Sequence, residues 1–410
     1  MSKLRFLFVS SDRFPPFRVD VEVLFGREFA QRGHQIDWLL QSEEARATPG
    51  EVEWRGWRVF VGAMDAGERF VNRLRKHLMA LRNELRVPGL IRDNDYDFVQ
   101  VKDKFLVALL AMRAARKKGC GFVFWLSYPF PEASLYGAKM GTARYPWLYR
   151  IRGSIFHYLL YRIIAPRADH LFVQSEQMKR DMAAKGVPPS KMTPVLMGFL
   201  PAEDAPQPVP IKPNQMVYLG TLLKYRKLDF LVGVLARVRE RVPDATLLMI
   251  GPEELPGDMQ VLREAAQRAG VEDALTLTGR MPREQAFERV AASAVCFSPF
   301  YPTPILNSTS PTKLVEYFSL KKAAVANDHP EQKQVLEESG GGICVGWDEA
   351  AFADAAIEIM QDPERARQMG ERGYAYAMAN RTYRVIADQV EQKYLALYPK
   401  APSGAAGSQA

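Results

Sequence analysis

Residues 4–10 read LRFLFVS, a continuous apolar run that ends in Ser-Ser-Asp and is typical of a buried parallel strand. Residues 21–32 follow with apolar side chains on one helical face, and Gly33 ends that helix. Residues 35–40 (QIDWLL) make a second apolar run, which predicts another strand. A strand, a helix and a second strand in this order form a βαβ unit, so this stretch predicts an α/β fold.

The same alternation continues along the chain and is interrupted once. Residues 201–215 (PAEDAPQPVPIKPNQ) hold five prolines and little apolar periodicity, which predicts a linker. We therefore predict two facing, doubly wound, Rossmann-like domains, residues 1–200 and 216–381, with ligands bound in the cleft between them. The last residues, 401–410, are of low complexity and are predicted to be disordered. Further strands are predicted at 97–101, 121–126, 170–175, 216–219, 245–250, 275–278, 294–298 and 323–326.

The composition excludes several classes of protein. The three cysteines share no short spacing, so they form neither a disulfide framework nor a zinc site, and they indicate a reducing compartment. No run approaches the roughly 18 apolar residues that a spanning helix needs. The first residues are too short an apolar stretch for a secretory signal. These features predict a cytoplasmic protein, or one peripheral on the inner face of a membrane.

Charge is unevenly distributed between the two halves of the chain. Residues 1–200 hold 32 Lys and Arg against 20 Asp and Glu, whereas residues 201–410 hold 23 against 27. The basic half is expected to meet an anionic surface, although an incidental asymmetry is the alternative. Nucleic acid is a weaker candidate than membrane for that surface, because no helix-turn-helix, zinc-finger or RNA-recognition pattern is present.

Two segments of the basic half are typical of the water–lipid interface. Residues 133–168 contain no acidic residue and interleave six cations with seven aromatic side chains. Residues 70–85 carry leucines at helical spacing with cations largely off that stripe. We expect an anionic membrane surface as a partner of the first domain. The alternative is that both helices pack on the sheet of their domain and that the cations only solvate them.

The segment at residues 308–316 (STSPTKLVE) predicts an anion site in the second domain. Ser310 and Pro311 are typical of a helix cap and of the first helical position. The free N–H groups of such a helix attract anions, and Ser310, Thr312 and Lys313 would add hydroxyl groups and a charge. A capped surface helix with no ligand is the alternative on local grounds.

From Met216 to about Leu397 the chain resembles the donor domain of the retaining glycosyltransferases of family four, the bacterial group 1 type. That family has two glutamates separated by seven residues, and a Pro-Glu pair follows them. Glu316 and its helix match the second glutamate, and Pro330-Glu331 match the trailing pair. Ser308 stands at the position of the first glutamate, which in the family lies close to the transferred sugar. The resemblance implies that Glu316 accepts the ribose hydroxyls of a nucleotide.

A second match is the loop at residues 220–229 (GTLLKYRKLD), which resembles the family's G-R-L-x-x-x-K-G-x-D. The family's Arg and Lys contact the donor diphosphate. Arg226 stands at the Lys position, and a guanidinium can bind two phosphate oxygens. Thr221 replaces the Arg, and Lys227 or Lys224 is the candidate to compensate. A solvated basic loop is the alternative.

The turns after two further strands correspond to the pocket for the base in the family. They begin at Gly251 and Gly279. By position the resemblance assigns base contacts to Arg280 and Met281. Uracil, guanine and adenine are not distinguished by these residues.

The first domain resembles the same family more weakly, through a Pro15-Pro16 pair near its start. The glycine pair that lets the family's backbone approach the donor phosphate is absent, and Arg18 lies there instead. The resemblance therefore offers Arg18 as a charge for the diphosphate. A histidine that commonly follows a middle strand is also missing, and Ser127 begins the segment at that place.

Three carboxylates of the first domain are candidates for catalysis: Asp20, Asp103 and Glu132. Asp103 and Glu132 each follow a predicted strand, where ligands of such sheets bind. Either could deprotonate or orient an acceptor hydroxyl. For each of the three, a surface carboxylate beside Lys or Arg is the alternative.

Together these features predict a GT-B glycosyltransferase that moves a sugar from a nucleotide-sugar donor to a lipid-linked glycan, with anomeric retention and without a metal or other cofactor. By resemblance, a last helix at residues 383–398 crosses back to the first domain. A sugar-nucleotide epimerase, a glycan phosphorylase and a non-catalytic sugar-nucleotide-binding protein are the alternatives.

Overall fold

The computed structural model describes residues 3–16, 18–45, 48–65, 67, 70–201 and 209–398. The chain divides into two units, one of which combines residues 1–196 with residues 383–410, and the other of which comprises residues 197–382. The predicted disordered tail lies outside the described residues, as do residues 202–208 of the predicted linker.

An almost entirely parallel sheet forms the centre of the first unit. Its strands are β1 (Arg5–Phe14), β2 (Gln35–Ser42), β3 (Gly50–Trp54), β4 (Trp57–Gly62), β5 (Phe98–Lys102), β6 (Gly121–Leu126), β7 (His170–Val173) and β8 (Met192–Pro194). They lie in the order β3-β4-β2-β1-β5-β6-β7-β8, and β3 pairs with β4 in antiparallel fashion. All five residues of β5 are buried, as is expected where helices cover both faces of a parallel sheet.

Helices surround this sheet. They are α1 (Val19–Glu22), α2 (Phe70–Glu84), α3 (Val87–Asp93), α4 (Phe105–Lys118), α5 (Phe130–Lys139), α6 (Pro146–Tyr158), α7 (Ala165–Arg167) and α8 (Glu176–Ala183). A π-helical turn at Leu24–Phe29 interrupts the regular helix that was predicted over residues 21–32. At this turn Gly26 faces the ring of Trp54, which leaves no room for a Cβ atom because the two would lie 2.6 Å apart.

The second unit has a six-stranded parallel sheet. Its strands are β9 (Lys212–Leu219), β10 (Thr246–Ile250), β11 (Leu275–Leu277), β12 (Ser293–Ser298), β13 (Ala324–Asn327) and β14 (Gly342–Val345), in the order β11-β10-β9-β12-β13-β14. Its helices are α9 (Asp229–Arg239), α10 (Asp258–Ala269), α11 (Arg283–Ala291), α12 (Pro304–Asn307), α13 (Lys313–Ser319), α14 (Pro330–Ser339), α15 (Glu349–Gln361) and α16 (Pro363–Asn380).

Two boundaries predicted from the sequence were wrong, and one hairpin was not predicted. Strand β9 begins at Lys212, so the last residues of the predicted linker are strand, because backbone pairing with β12 does not require apolar side chains. The β3–β4 hairpin was missed; its tight turn has two residues of positive φ, Arg55 at 55° and Gly56 at 81°. Helix α13 begins at Lys313, and the residue before it, Thr312, makes no side-chain cap.

The last helix, α17 (Tyr383–Leu397), belongs to the first unit, as the family resemblance implied for this segment. Arg32 Nη1 lies 2.6 Å from a carboxylate oxygen of Asp388 and 2.7 Å from one of Glu391. His34 accepts the N–H of Leu4 at Nδ1 (3.1 Å), so its other ring nitrogen donates to Glu391 at 2.9 Å. These bonds, of which those of His34 are buried, attach the last helix to the first βαβ unit.

Candidate active site

Both sheets reverse their strand order at a corresponding place. In the second sheet β9 is flanked by β10 on one side and β12 on the other, and in the first sheet β1 is flanked by β2 and β5. Later strands are added outward from these centres. Ligands of doubly wound sheets bind beyond the carboxyl ends of the strands at such a reversal. The loops after β9 and β12, and those after β1 and β5, are therefore where each unit can bind a ligand.

Lys313, in the chain that follows β12, is a buried lysine. Its side chain is only 7% exposed, and Nζ lies 4.8 Å from the ring centre of Phe300 and 5.4 Å from that of Tyr218. Within the described part of the chain, no hydrogen bond or ion pair reaches this ammonium. Burial and the charge of Arg226 lower the pKa of Lys313 well below its usual value, against the opposing effect of Glu316.

Arg226 approaches the same place from the loop after β9. It ends a 3₁₀ turn at Lys224–Arg226, and its Nη1 donates to the hydroxyl of Tyr218 at 3.3 Å and to the carbonyl of Thr221 at 3.5 Å. Among the described residues no carboxylate pairs with this guanidinium. Arg226 and Lys313 thus bring two basic side chains to one point without a counter-ion, which is an arrangement that suits a diphosphate.

The framework around Lys313 fixes its position. The hydroxyl of Tyr317, one turn further along α13, donates to the carbonyl of Phe297 at 3.0 Å and accepts the N–H of Leu219 at 2.9 Å, so it joins the helix to β9 and β12. Gly220, directly after β9, leaves the space that the lysine occupies. A Cβ there would lie 2.6 Å from Cε of Lys313.

Asn327, the last residue of β13, holds the ring that faces the ammonium. Its side-chain oxygen accepts the N–H of Phe300 at 2.7 Å, and its amide nitrogen donates to the carbonyl of the same residue at 2.9 Å. The ring of His329 packs against Phe300 with centroids 5.2 Å apart. This two-bond clamp fixes the start of the loop that leads to α13.

Glu316 lies one turn into α13 and is half-buried. Burial raises the pKa of its carboxyl group, and the charges of Arg283 and Lys313 oppose that rise. Met281 packs against the apolar cluster that includes residues of α13, whereas Arg280 is exposed. Of the predicted ribose and base residues, Glu316 thus lies on α13, and Met281 packs against a cluster to which α13 contributes.

Ser310 differs from its predicted role. Its hydroxyl accepts the N–H of Met197 at 2.8 Å and donates its proton to Glu331 at 2.7 Å. Glu331 also binds the buried guanidinium of Arg381 at 2.8 Å. A phosphate oxygen would need the proton that Glu331 already receives, so these bonds indicate a structural role for Ser310. Sequence analysis missed this because the partners are distant in the chain.

Two other residues predicted to contact the diphosphate, Thr312 and Lys227, have no side-chain partner among the described residues. Thr312 is half-buried directly before α13, and Lys227 is exposed beside Arg226 with a positive φ of 54°. Ser308, at the position of the family's first glutamate, is buried at the end of α12 and donates to the carbonyl of Pro304 at 3.3 Å. Because residue 308 is a serine, the described second unit has no carboxylate at that position.

The corresponding edge of the first unit contains a charge cluster that is neutralised internally. Lys102, fully buried at the end of β5, lies 2.8 Å from Asp20 and 3.7 Å from Asp12. Arg18 binds Asp20 with two bonds of 3.2 Å and lies 3.8 Å from Asp12. The charges of Lys102 and Arg18 keep the pKa of Asp20 below its usual value despite burial. Of the predicted site residues, Asp20 and Arg18 therefore form an ion pair with each other.

Asp103 is the least neutralised carboxylate of this edge. It follows β5 with a φ of 59°, a left-handed conformation that non-glycine residues rarely adopt. Its side chain accepts the N–H of Ser127 at 2.8 Å and also the hydroxyl proton of that residue. Burial raises the pKa of Asp103 to about 6, although Lys102 and Ser127 act in the other direction. An aspartate of this kind is suited to bind or deprotonate a hydroxyl near neutral pH.

Glu132, in the first turn of α5, is bound on one side. Its Oε1 accepts the hydroxyl proton of Tyr161 and a proton of the Lys185 ammonium, each at 2.7 Å. Its Oε2 is buried and has no partner among the described residues. The bonds to Tyr161 and Lys185 therefore explain the position of Glu132 no less than a catalytic role would.

Helix α6 leaves an apolar face exposed. Gly153 packs against Leu135, and Phe156 stacks on Phe105 with ring centroids 4.7 Å apart. The opposite face presents Trp147, which is 65% exposed, and three further large side chains at helical spacing. These three are Ile151, Ile155 and Tyr158.

In α2 the described part shows the same feature. Leu78 and Leu81 are exposed, and so is Leu85, directly after the helix. The side chains at 70–74 and 77 lie outside the described residues. The exposed side chains of α2 and α6 therefore do not pack on the sheet of their unit. No helix in the described ranges is long and apolar enough to cross a membrane.

Comparisons with known proteins agree with this geometry. The family "Glycosyl transferases group 1" matches residues 201–376, and "Glycosyl transferase 4-like domain" matches residues 24–198. A comparison with curated proteins gives no match.

Solved structures with the same fold cover nearly the whole chain. A sucrose-phosphate synthase from Thermosynechococcus elongatus has a TM-score of 0.71 at 18% identity, over 97% of this chain and 99% of that one. HepE from Anabaena in complex with UDP has a TM-score of 0.68 at 12% identity, over 96% and 100%. A UDP-forming α,α-trehalose-phosphate synthase from Burkholderia vietnamiensis has a TM-score of 0.68 at 16% identity, over 96% and 100%.

Two Rossmann-like units whose sequences match glycosyltransferase families define a glycosyltransferase with the GT-B fold. The second unit thus has the domain of the group 1 glycosyltransferases, and the first unit has the glycosyl transferase 4-like domain. The predicted family, fold and enzyme class are confirmed.

Proposed function

We propose that the second unit binds the diphosphate of a nucleotide sugar between Lys313 and Arg226. The observation that carries this proposal is the pair of basic side chains without a counter-ion at the strand reversal. In this arrangement Glu316 accepts ribose hydroxyls, and Arg280 and Met281 lie toward the base. The two cations stabilise the nucleoside diphosphate as it leaves, so transfer needs no metal ion.

Binding of nucleoside diphosphates tests the donor site. UDP is the first probe, because HepE has been seen in complex with UDP, and GDP and ADP complete the set. We expect Glu316→Gln to weaken binding of the nucleotide that the wild type prefers, because a carboxylate accepts two hydroxyls better than an amide does. Unchanged affinity in Glu316→Gln would remove the ribose assignment. Activity that persists in EDTA supports metal-independent transfer.

The acceptor, in this proposal, binds at the carboxyl edge of the first sheet, with Asp103 orienting the attacking hydroxyl. Resemblance to the retaining family gives net retention at the anomeric carbon. NMR of the fresh product would show the donor's own anomeric configuration, and inversion would refute this part.

The acceptor is proposed to be lipid-linked because the first unit carries the features of a membrane-facing surface. The exposed face of α6 combines Trp147 and Tyr158 with the flanking cations Arg144 and Arg150. Aromatic side chains bind at headgroup depth, and arginines attract anionic lipid. The protein would then work on the inner face of the membrane.

Vesicle sedimentation tests this surface. Vesicles that contain phosphatidylglycerol should retain the protein, and Trp147→Glu should lower the partition coefficient roughly tenfold or more, since burying a large apolar side chain is worth about 1.5–3 kcal/mol. Leu106→Glu is the matched control, because Leu106 is also exposed but lies on α4. Equal losses in both variants, or no binding by the wild type, would contradict the membrane proposal.

A non-catalytic nucleotide-binding protein is the second candidate, and Ser308 in place of the family's glutamate favours it. Release of nucleoside diphosphate that depends on a lipid-linked acceptor would exclude a binding protein. Conversion of the donor sugar without any acceptor would instead indicate an epimerase.

A further inference from the structure

Lys313 is placed in surroundings that do not favour a charged amine. It lies between two aromatic rings, with 7% of its surface exposed and without a hydrogen-bond acceptor among the described residues. A ring face gives an ammonium part of the stabilisation that water would give, but not all of it. This environment therefore favours the neutral amine of Lys313 over the ammonium.

The charged groups around it do not change this balance. From the loop after β9, the guanidinium of Arg226 repels a second positive charge, and from its own helix Glu316 attracts one. Burial raises the pKa of the Tyr218 hydroxyl, so that ring remains uncharged. His329, behind Phe300, has its pKa lowered to about 4 by burial and is neutral as well.

We propose that a proton enters this site together with the nucleotide: Lys313 is an uncharged amine in the free protein near neutral pH and becomes an ammonium when the diphosphate binds. The proton moves from solvent or buffer to the Nζ lone pair, and no other bond changes. The inference rests on the proposed donor site. Its physical basis is that the diphosphate supplies the negative charge that the free site lacks and compensates the repulsion from Arg226.

Calorimetric titration in two buffers of different ionisation enthalpy measures the protons taken up on binding. UDP, GDP and ADP are the probes, between about pH 7 and 9, where their terminal phosphates (pKa ~6) are already ionised. We expect uptake that approaches about one proton per nucleotide at the pH where the free lysine is neutral and the bound lysine is charged.

The Lys313→Arg variant tests whether the proton is taken up by Lys313 or by another group. An arginine stays charged at every pH used, so this variant should bind nucleotide with no uptake. Lys313→Met should bind more weakly and also lose the uptake. Lys333→Met, which removes an exposed lysine of α14, should keep the wild-type uptake.

The outcomes distinguish a failure of the proposed function from a failure of the proton inference alone. If none of the three nucleotides binds, the proposed function fails. If a nucleotide binds to the wild type with no proton uptake across the pH range, or if Lys313→Arg shows the same uptake as the wild type, only the proton inference fails. The wild-type measurement decides even if a variant does not fold.

Discussion

The two units place a buried lysine at matching points but balance its charge differently. Lys102 in the first unit and Lys313 in the second each lie at the carboxyl edge of a sheet with the ammonium over an aromatic ring, at 4.5 Å from Trp125 and 4.8 Å from Phe300. Lys102 has two aspartates within 3.7 Å, whereas Lys313 has no ion pair among the described residues. A lysine paired with carboxylates stabilises the fold, and a lysine without a counter-ion is available to an anionic ligand.

The largest effect that this comparison predicts is on stability. Lys102→Met should lower the free energy of unfolding by about 3–5 kcal/mol, since it leaves buried carboxylates without their main partner. Urea denaturation measures this loss. A loss below about 1 kcal/mol would show that Lys102 is not the main partner of Asp20 and Asp12.

Arg226→Gln should instead affect binding and spare the fold. We expect nucleoside diphosphate affinity to fall roughly tenfold to a hundredfold, because hydrogen bonds to charged groups contribute about 1.5–3 kcal/mol. Calorimetry measures the affinity, and the melting temperature should not fall. Lys227→Gln is the matched control, since its side chain is exposed and its effect should be smaller. An equal effect in both variants would move the phosphate contact away from Arg226.

Lys313→Met should stabilise the free protein, in contrast to Lys102→Met. The pKa of Lys313 is lowered in the folded state, so the unfolded chain binds the proton more tightly and wild-type stability rises with pH. The advantage of the methionine variant should therefore grow by up to about 1.4 kcal/mol per pH unit as the pH falls below the usual lysine value. Denaturation at several pH values measures it. A pH-independent difference would refute the argument.

The last effect should appear in the pH dependence of activity. With the pKa of Asp103 raised to about 6, wild-type activity should fall up to about tenfold per pH unit below that value as the carboxylate is protonated. Asp103→Asn should be less active at neutral pH and lack this acidic limb. A pH–rate profile measures both. An acidic limb that survives in Asp103→Asn would assign it to another group.

Local pattern was enough to predict most of the fold. Continuous apolar runs closed by glycine gave the alternating strands and helices of both sheets, and the β3–β4 hairpin was missed because its turn has no strong turn pair. For the site, the motif around Glu316 and the loop containing Arg226 identified the residues that the structure brings toward Lys313. Tyr218, Phe300 and Tyr317 were missed, because aromatic side chains at strand ends have the same pattern as core residues.

What the sequence by itself determined is the class of fold and the presence of cations after particular strands, because both depend on residues close together in the chain. Which of those basic side chains lack a counter-ion was decided only by the tertiary structure. Lys102 and Asp20 are 82 positions apart, and Ser310 and Met197 are 113 apart. Partners at such separations are set by which strands lie side by side, so local composition cannot distinguish a structural ion pair from a ligand site.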